Sequence, residues 1–136
     1  MFLLDTNVIS ELRKARAADP RVVAWANSVE ASLLFISAIT VLELEQGILL
    51  VERRDAKQGM ALRAWLDGQV MPEFSSRTLP IDADVARRCA GLHVPDPRSE
   101  RDALIAATAL VHGMTVATRN VVNFEKTGVR LVDPWG

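Results

Sequence analysis

The feature that most constrains the fold is a series of short apolar runs that alternate with longer helical segments. The first run, residues 2–4, ends at Asp5, and the second, residues 33–36, ends at Ser37. Short apolar strands that alternate with helices are typical of a mostly parallel sheet with helices on both faces. The sequence therefore predicts an α/β protein in which each of these runs is a strand.

Local signals set the expected element boundaries. Pro20 suits the first turn of a helix, and Gly113 suits a helix end. The predicted strands cover residues 2–5, 33–37, 77–81, 115–118 and 129–132. The predicted helices cover residues 6–14, 20–30, 39–53, 56–70, 82–92 and 99–113. No repeat, low-complexity tract or linker interrupts this order, so we expect a single domain over residues 1–136.

The composition excludes several classes of protein. A hydrophobic content of 49% with 24% charged residues is typical of a globular protein with a core. The net charge of −1 provides no global basic field, but it is compatible with a local basic stripe. Cys89 is the only cysteine, so no internal disulfide can form. No window approaches the ~18 apolar residues of a membrane span, and the apolar start is too short for a signal peptide, so we expect a cytoplasmic protein without a membrane partner.

Three acidic side chains are expected to meet at the carboxyl edge of the predicted sheet. Asp5 follows the first strand, Glu43 lies early in the helix after the second strand, and Asp102 lies in the first turn of a later helix. That edge is the usual ligand crevice of open α/β sheets. Carboxylates gathered there are hard oxygen ligands for Mg²⁺ or Mn²⁺, which would neutralise their mutual repulsion. The sequence therefore indicates a divalent metal site.

Each acid also has a structural interpretation. Asp5 at a strand–helix junction suits a helix N-cap. The segment from Ser99 to Asp102 matches a capping box, with an acidic residue three positions after the N-cap. Glu43 is harder to explain as surface charge, because it is one of two glutamates in the mostly apolar stretch 39–51.

Polar side chains near the acids have the same double interpretation. They are suited to orienting metal ligands or water, and they are equally ordinary in turns and caps. The candidates are Thr6, Asn7, Ser37 and Thr118. Other chemistries fit the sequence less well, since there is no P-loop, no dinucleotide-binding glycine motif and no nucleophile elbow.

Five ordered motifs carry a family resemblance that covers essentially the whole chain. They are residues 3–11 (LLDTNVISE), 36–44 (ISAITVLEL), 102–109 (DALIAATA), 118–120 (TRN) and 128–135 (GVRLVDPW). These motifs resemble those of the PIN-domain ribonucleases, specifically the VapC-type toxins of bacterial toxin–antitoxin pairs in their FitB-like subgroup.

The resemblance implies a Rossmann-like α/β/α sandwich with a mostly parallel central sheet. It also implies an endoribonuclease that uses Mg²⁺ or Mn²⁺ held by Asp5, Glu43 and Asp102, with Asn120 as a further catalytic position and transfer RNA as the expected substrate. A homodimer and a cognate antitoxin, whose peptide occupies or covers the acidic site, are the implied partners.

The chain departs from the family pattern at the fourth acidic position. Many members place an aspartate directly after the Thr-Arg pair, or three residues later before a phenylalanine. Here these positions are Asn120 and Asn123. An amide can bind water or phosphate but adds no negative charge, which favours one metal ion over two. Arg119 is a candidate phosphate contact.

Two alternative functions remain at this stage. The amides at Asn120 and Asn123 are compatible with a catalytically weakened PIN fold that binds RNA or a protein partner without turnover. Asp5 could also be the nucleophile of a phosphatase similar to the haloacid-dehalogenase group. That group carries a second aspartate two residues on, where this chain has Asn7.

Overall fold

A five-stranded parallel sheet forms the centre of the protein. The computed structural model describes all residues, 1–136. The strands are β1 (Phe2–Leu4), β2 (Leu34–Ser37), β3 (Thr78–Leu79), β4 (Thr115–Ala117) and β5 (Leu131–Val132). Their order is β3-β2-β1-β4-β5, and every neighbouring pair is parallel. The chain winds outward from β1 in both directions, so the topological switch point lies between β1 and β4, where such sheets bind ligands.

Seven helices surround this sheet. They are α1 (Thr6–Arg13), α2 (Pro20–Ser28), α3 (Ala38–Arg54), α4 (Ala56–Trp65), α5 (Met71–Glu73), α6 (Ala83–Leu92) and α7 (Glu100–His112). Every predicted strand and helix is present, with ends shifted by at most two residues. The exception is the predicted helix 56–70, which is α-helical only to Trp65 and then continues as a π-helical turn over Leu66–Val70.

The two faces of the sheet bury different sets of side chains. Leu4 packs with Val8 and Val22, which come from α1 and α2. Leu3 points to the other face and packs with Ile105 and with other side chains of α7. This alternation follows from the period of two along a strand. The predicted α/β/α sandwich is confirmed, and its layers are α1–α4, the sheet, and α6–α7.

Small residues let α7 pack closely. Ala103, Ala106, Ala107 and Ala109 are all fully buried. The helix ends at Gly113, whose φ of +67° is the left-handed conformation that glycine adopts without strain. The close packing of α7 determines where its first turn, which carries Asp102, meets the sheet edge. No helix in the protein is both long enough and apolar enough to cross a membrane.

Candidate active site

The three predicted acids lie around the switch point of the sheet. Asp5 follows β1 directly and is buried, with 5% of its surface exposed. Glu43 lies in the second turn of α3, and Asp102 lies in the first turn of α7. The charges of Asp102 and Glu43 both act on Asp5, and the charge of Glu43 acts on Asp102. The fold therefore brings together side chains that are distant in sequence.

Hydrogen bonds hold the Asp5 carboxylate in one orientation. Asp5 caps α1, because its Oδ1 accepts the Thr6 backbone N–H at 2.8 Å. Its Oδ2 accepts the Thr118 hydroxyl at 2.8 Å and lies 3.4 Å from the Asn7 amide nitrogen. The N-cap interpretation of Asp5 is thus correct, but it covers only one of the two carboxylate oxygens.

Thr118 can point its proton only at Asp5. The Thr118 hydroxyl oxygen accepts the Asn7 amide at 3.3 Å and the Asn120 backbone N–H at 3.0 Å. A hydroxyl that accepts two donors has its own proton left for the remaining neighbour. Thr118, which is fully buried, therefore stabilises the ionised form of Asp5.

The electrostatics of the acids favour a bound cation. Burial raises the pKa of Asp5, the bonds from Thr118 and Thr6 oppose that rise, and the charges of Asp102 and Glu43 add to it. Burial, and then the charge of Glu43, raises the pKa of Asp102. Carboxylates that resist ionisation near one another are stabilised by a divalent ion. The oxygen-only donor set therefore fits Mg²⁺ or Mn²⁺.

Glu43 is oriented from two sides. The Thr6 hydroxyl donates to its Oε1 at 2.7 Å and lies 3.3 Å from the Thr40 hydroxyl. On the other side, Arg101 Nη1 lies 3.8 Å from Glu43 Oε2. Glu43 and Thr6 also line a cleft of about 230 Å³. Gly47 lines the same cleft, and the space next to its Cα is open.

Two serines occupy the N-caps of the helices that carry Glu43 and Asp102. The Ser37 hydroxyl accepts the Thr40 backbone N–H at 3.2 Å and caps α3, and it makes no hydrogen bond to the acids. Ser99 occupies the N-cap of α7 but makes no side-chain capping bond. The capping-box interpretation of Asp102 therefore lacks the bond from the Ser99 side chain to the helix backbone. A side-chain hydrogen bond from Ser99 instead acts on the Asp102 carboxyl and lowers its pKa, against the effect of burial.

Sequence reasoning missed Thr40 and Arg101 at this site. Thr40 precedes Glu43 by one helical turn, a spacing that would have placed both on one face. Arg101 directly precedes Asp102, which is the only local signal for its position. The guanidinium of Arg119 lies 5.3 Å from the Trp135 ring and its charge acts on Asp19, and its role as a phosphate contact stays a prediction.

Comparison with known proteins assigns this arrangement to a family. Residues 2–129 match the PIN domain. The chain belongs to the PIN-domain family. It is 40% identical over 140 residues to the VapC ribonuclease Y4jK of Sinorhizobium fredii, covering 99% of this chain and 98% of that protein.

Further relatives place the chain in the FitB-like branch of the PIN family. The chain is 39% identical over 141 residues to toxin FitB of Neisseria gonorrhoeae, covering 99% of both proteins. It superposes on the crystal structure of FitAcB from Neisseria gonorrhoeae with a TM-score of 0.90 at 38% identity, over 99% of both chains. The predicted family is confirmed. The alternative of an aspartate-nucleophile phosphatase belongs to another family and gains no support.

Asn120 and Asn123 occupy the expected fourth acidic position with amides. Both residues are exposed, in the segment that follows β4. The Asn120 backbone N–H is bonded to Thr118, so this residue stays next to the acids through the main chain. No negative charge is added at this position.

A second group of potential metal ligands lies where α6 meets α7. Cys89, His93 and Glu100 have ligand atoms within 4.8 Å of one another. His93 Nδ1 accepts the Arg98 backbone N–H at 3.2 Å, so the neutral ring carries its proton on Nε2, which lies 3.0 Å from Glu100. The Cys89 thiol also donates to Glu100, at 3.8 Å. These bonds link the C-terminal end of α6 to the first turn of α7.

Proposed function

We propose that this chain is a divalent-metal-dependent endoribonuclease, the toxin of a toxin–antitoxin pair. It hydrolyses phosphodiester bonds of RNA, with transfer RNA as the expected substrate. The observation that carries the proposal is the set of three mutually repelling carboxylates at the switch point of a PIN-domain sheet. The names of its relatives, a VapC ribonuclease and toxin FitB, support the same activity.

Asp5, Glu43 and Asp102 would hold one Mg²⁺ or Mn²⁺. Such an ion, when bound, activates water and offsets charge on the phosphoryl oxygens. The carboxylate oxygens of these three residues do not all lie within 4.8 Å of one another. We therefore expect at least one of them to act through a water molecule.

The remaining residues position these carboxylates. Thr118 and Asn7 hold Asp5, and Thr6 holds Glu43. Such supporting bonds keep the ligand oxygens aimed at one point, and their loss typically costs ~10–100-fold in metal affinity or activity. Glu43 is either a ligand or the residue that orients the attacking water. Asn120 is suited to hold a water molecule or a phosphate oxygen.

The cognate antitoxin is proposed to bind beside the acids. The cleft next to Glu43 adjoins an apolar groove of about 280 Å³, and Arg13 and Trp65 line both. An antitoxin segment with apolar side chains would fill the groove and cover the acids. A homodimer is also part of the proposal, supported by apolar side chains that α3 and α4 leave exposed: Leu42, Leu49, Leu50 and Met60.

A cleavage assay tests the proposed activity. Purified, antitoxin-free protein is incubated with a pool of transfer and ribosomal RNA and Mg²⁺ or Mn²⁺, beside an EDTA control. We expect discrete fragments that disappear in EDTA. Asp5→Asn should lower the rate at least about a hundredfold, because even residues that only support a ligand cost ~10–100-fold.

The matched control is Asp84→Asn, which removes an exposed acid from the first turn of α6. It should cleave as the unchanged protein does. Cleavage by Asp5→Asn at the unchanged rate would contradict the assignment of the site. Metal-independent RNA binding without turnover would instead favour the catalytically weakened binding module.

A further inference from the structure

Arg101 is a cation built into the acidic site. It precedes Asp102 in the first turn of α7, and its Nη2 donates to Gln46 Oε1 of α3 at 2.6 Å. Its Nη1 lies 3.8 Å from Glu43 Oε2. The side chain is 43% exposed, so the guanidinium bridges α7 and α3 while it still faces solvent.

Most of the hydrogen-bonding capacity of Arg101 is unused. A guanidinium has five N–H donors, and only the bond to Gln46 engages one of them within the chain. The 3.8 Å separation from Glu43 is an ion pair but too long for a hydrogen bond. A planar fork with free donors is suited to bidentate contact with a phosphate.

Arg63 and Arg119 have side-chain partners of their own. Arg63 binds Glu45 with both terminal nitrogens. The guanidinium of Arg119 lies 5.3 Å from the Trp135 ring, a contact that leaves its N–H donors free. What distinguishes Arg101 is its position, since its guanidinium lies 3.8 Å from Glu43 and it directly precedes Asp102.

We propose that Arg101 binds an RNA phosphate beside the scissile bond, with Gln46 holding its guanidinium in place. This inference rests on the proposed function. Three carboxylates repel a polyanion, so substrate binding needs positive charge at the same edge. The bond to Gln46 holds Arg101 at the mouth of the site independently of Glu43. The N-terminus of α7 adds favourable potential for an anion there.

The test measures RNA binding separately from cleavage. A fluorescein-labelled short single-stranded RNA is titrated by anisotropy in the Asp5→Asn background, over a series of salt concentrations. Arg101→Ala should raise the Kd about tenfold and reduce the salt slope by ~0.7, the value for one lost phosphate contact on a single strand. Arg101→Lys keeps the positive charge but loses the planar guanidinium. Its Kd should therefore lie between that of the protein with Arg101 and that of Arg101→Ala.

Arg54→Ala is the matched control for the loss of one positive charge. Arg54 is exposed in the last turn of α3, about 16 Å along the helix axis from Glu43 at ~1.5 Å per residue. We expect it to leave the Kd and the salt slope unchanged. Mn²⁺ affinity, measured with Arg101→Ala in the otherwise unchanged chain, should not fall.

Equal RNA affinity and salt slope for Arg101→Ala and Arg54→Ala would overturn the inference. Tighter Mn²⁺ binding with unchanged RNA affinity would also overturn it, because Arg101 would then be only a counter-ion of Glu43. If the unchanged protein cleaves RNA but the two variants bind alike, this inference alone fails. If no cleavage occurs but Arg101→Ala binds RNA more weakly than Arg54→Ala, the proposed function fails and the phosphate contact stands.

Discussion

At the scale of single residues, the site balances two opposed effects on Asp5. Burial and the neighbouring acids disfavour its charge, while the Thr118 hydroxyl and the Thr6 backbone N–H favour it. The protein therefore tolerates an ionised carboxylate in a buried position, at a cost that a divalent ion would offset. Buried ionisable groups with shifted pKa values of this kind are common at functional sites.

The burial of Asp102, together with the charge of Glu43, predicts a pH-dependent effect on stability. The pKa of Asp102 is raised above its ordinary 3.8, so the folded state binds the proton more tightly than the unfolded state. The free energy of unfolding therefore falls as pH rises from about 3.8 through the raised pKa, and the loss persists above it. Asp102→Asn removes this loss. In EDTA at neutral pH, we expect its thermal midpoint to exceed that of Asp84→Asn by a few degrees.

Asp84→Asn is a close control because Asp84 also lies in the first turn of a helix. Both variants lose the favourable interaction of an acid with a helix N-terminus, so their difference reports the burial of Asp102 together with its repulsion by Glu43. The difference should narrow as the pH is lowered towards 3.8. A constant difference across the pH range, or none at neutral pH, would show that neither burial nor a neighbouring charge raises the pKa of Asp102.

At the scale of elements, the hairpin of α3 and α4 depends on one glycine. A Cβ at Gly59 would lie 2.8 Å from the Cα and 2.6 Å from the Cγ of Glu52. Alanine normally stabilises a helix interior by up to ~1 kcal/mol relative to glycine, but overpacking costs ~1–3 kcal/mol. Since the clash involves backbone, we expect Gly59→Ala to lower the free energy of unfolding.

Gly47→Ala provides the comparison for Gly59→Ala. Gly47 lies inside α3, as Gly59 lies inside α4, and a Cβ at Gly47 meets nothing within 4 Å. It should raise the free energy of unfolding by up to ~1 kcal/mol. Urea denaturation of both variants measures the two values. A gain in stability for Gly59→Ala as large as that for Gly47→Ala would refute the close contact between the helices.

The elements were predictable where their signals are local. The run before Asp5, Pro20 at the start of α2 and Gly113 after α7 each marked a boundary within a few residues. The π-helical turn at Leu66–Val70 was not predictable, because its residues continue an ordinary helical pattern. Its geometry depends on packing of Leu66 and Val70 into the core.

At the scale of the whole molecule, the parallel sheet explains why distant motifs form one site. Sequence reasoning placed Asp5, Glu43 and Asp102 at one edge, because strand ends in an open sheet share that edge. It could not predict the bond from Thr118 to Asp5, across 113 residues, or the bond from Arg101 to Gln46, across 55 residues. Such contacts depend on strand register and helix rotation, which no local pattern encodes.

The roles of the acids as metal ligands stay predictions, and one titration tests them most directly. Mn²⁺ is titrated into the unchanged protein and into Asp5→Asn, by calorimetry or electron paramagnetic resonance. We predict one bound ion per chain, because Asn120 and Asn123 add no charge to the three acids. Asp5→Asn should bind that ion at least about tenfold more weakly. Equal affinity in the two proteins, or two ions per chain, would contradict a one-metal site built on Asp5, Glu43 and Asp102.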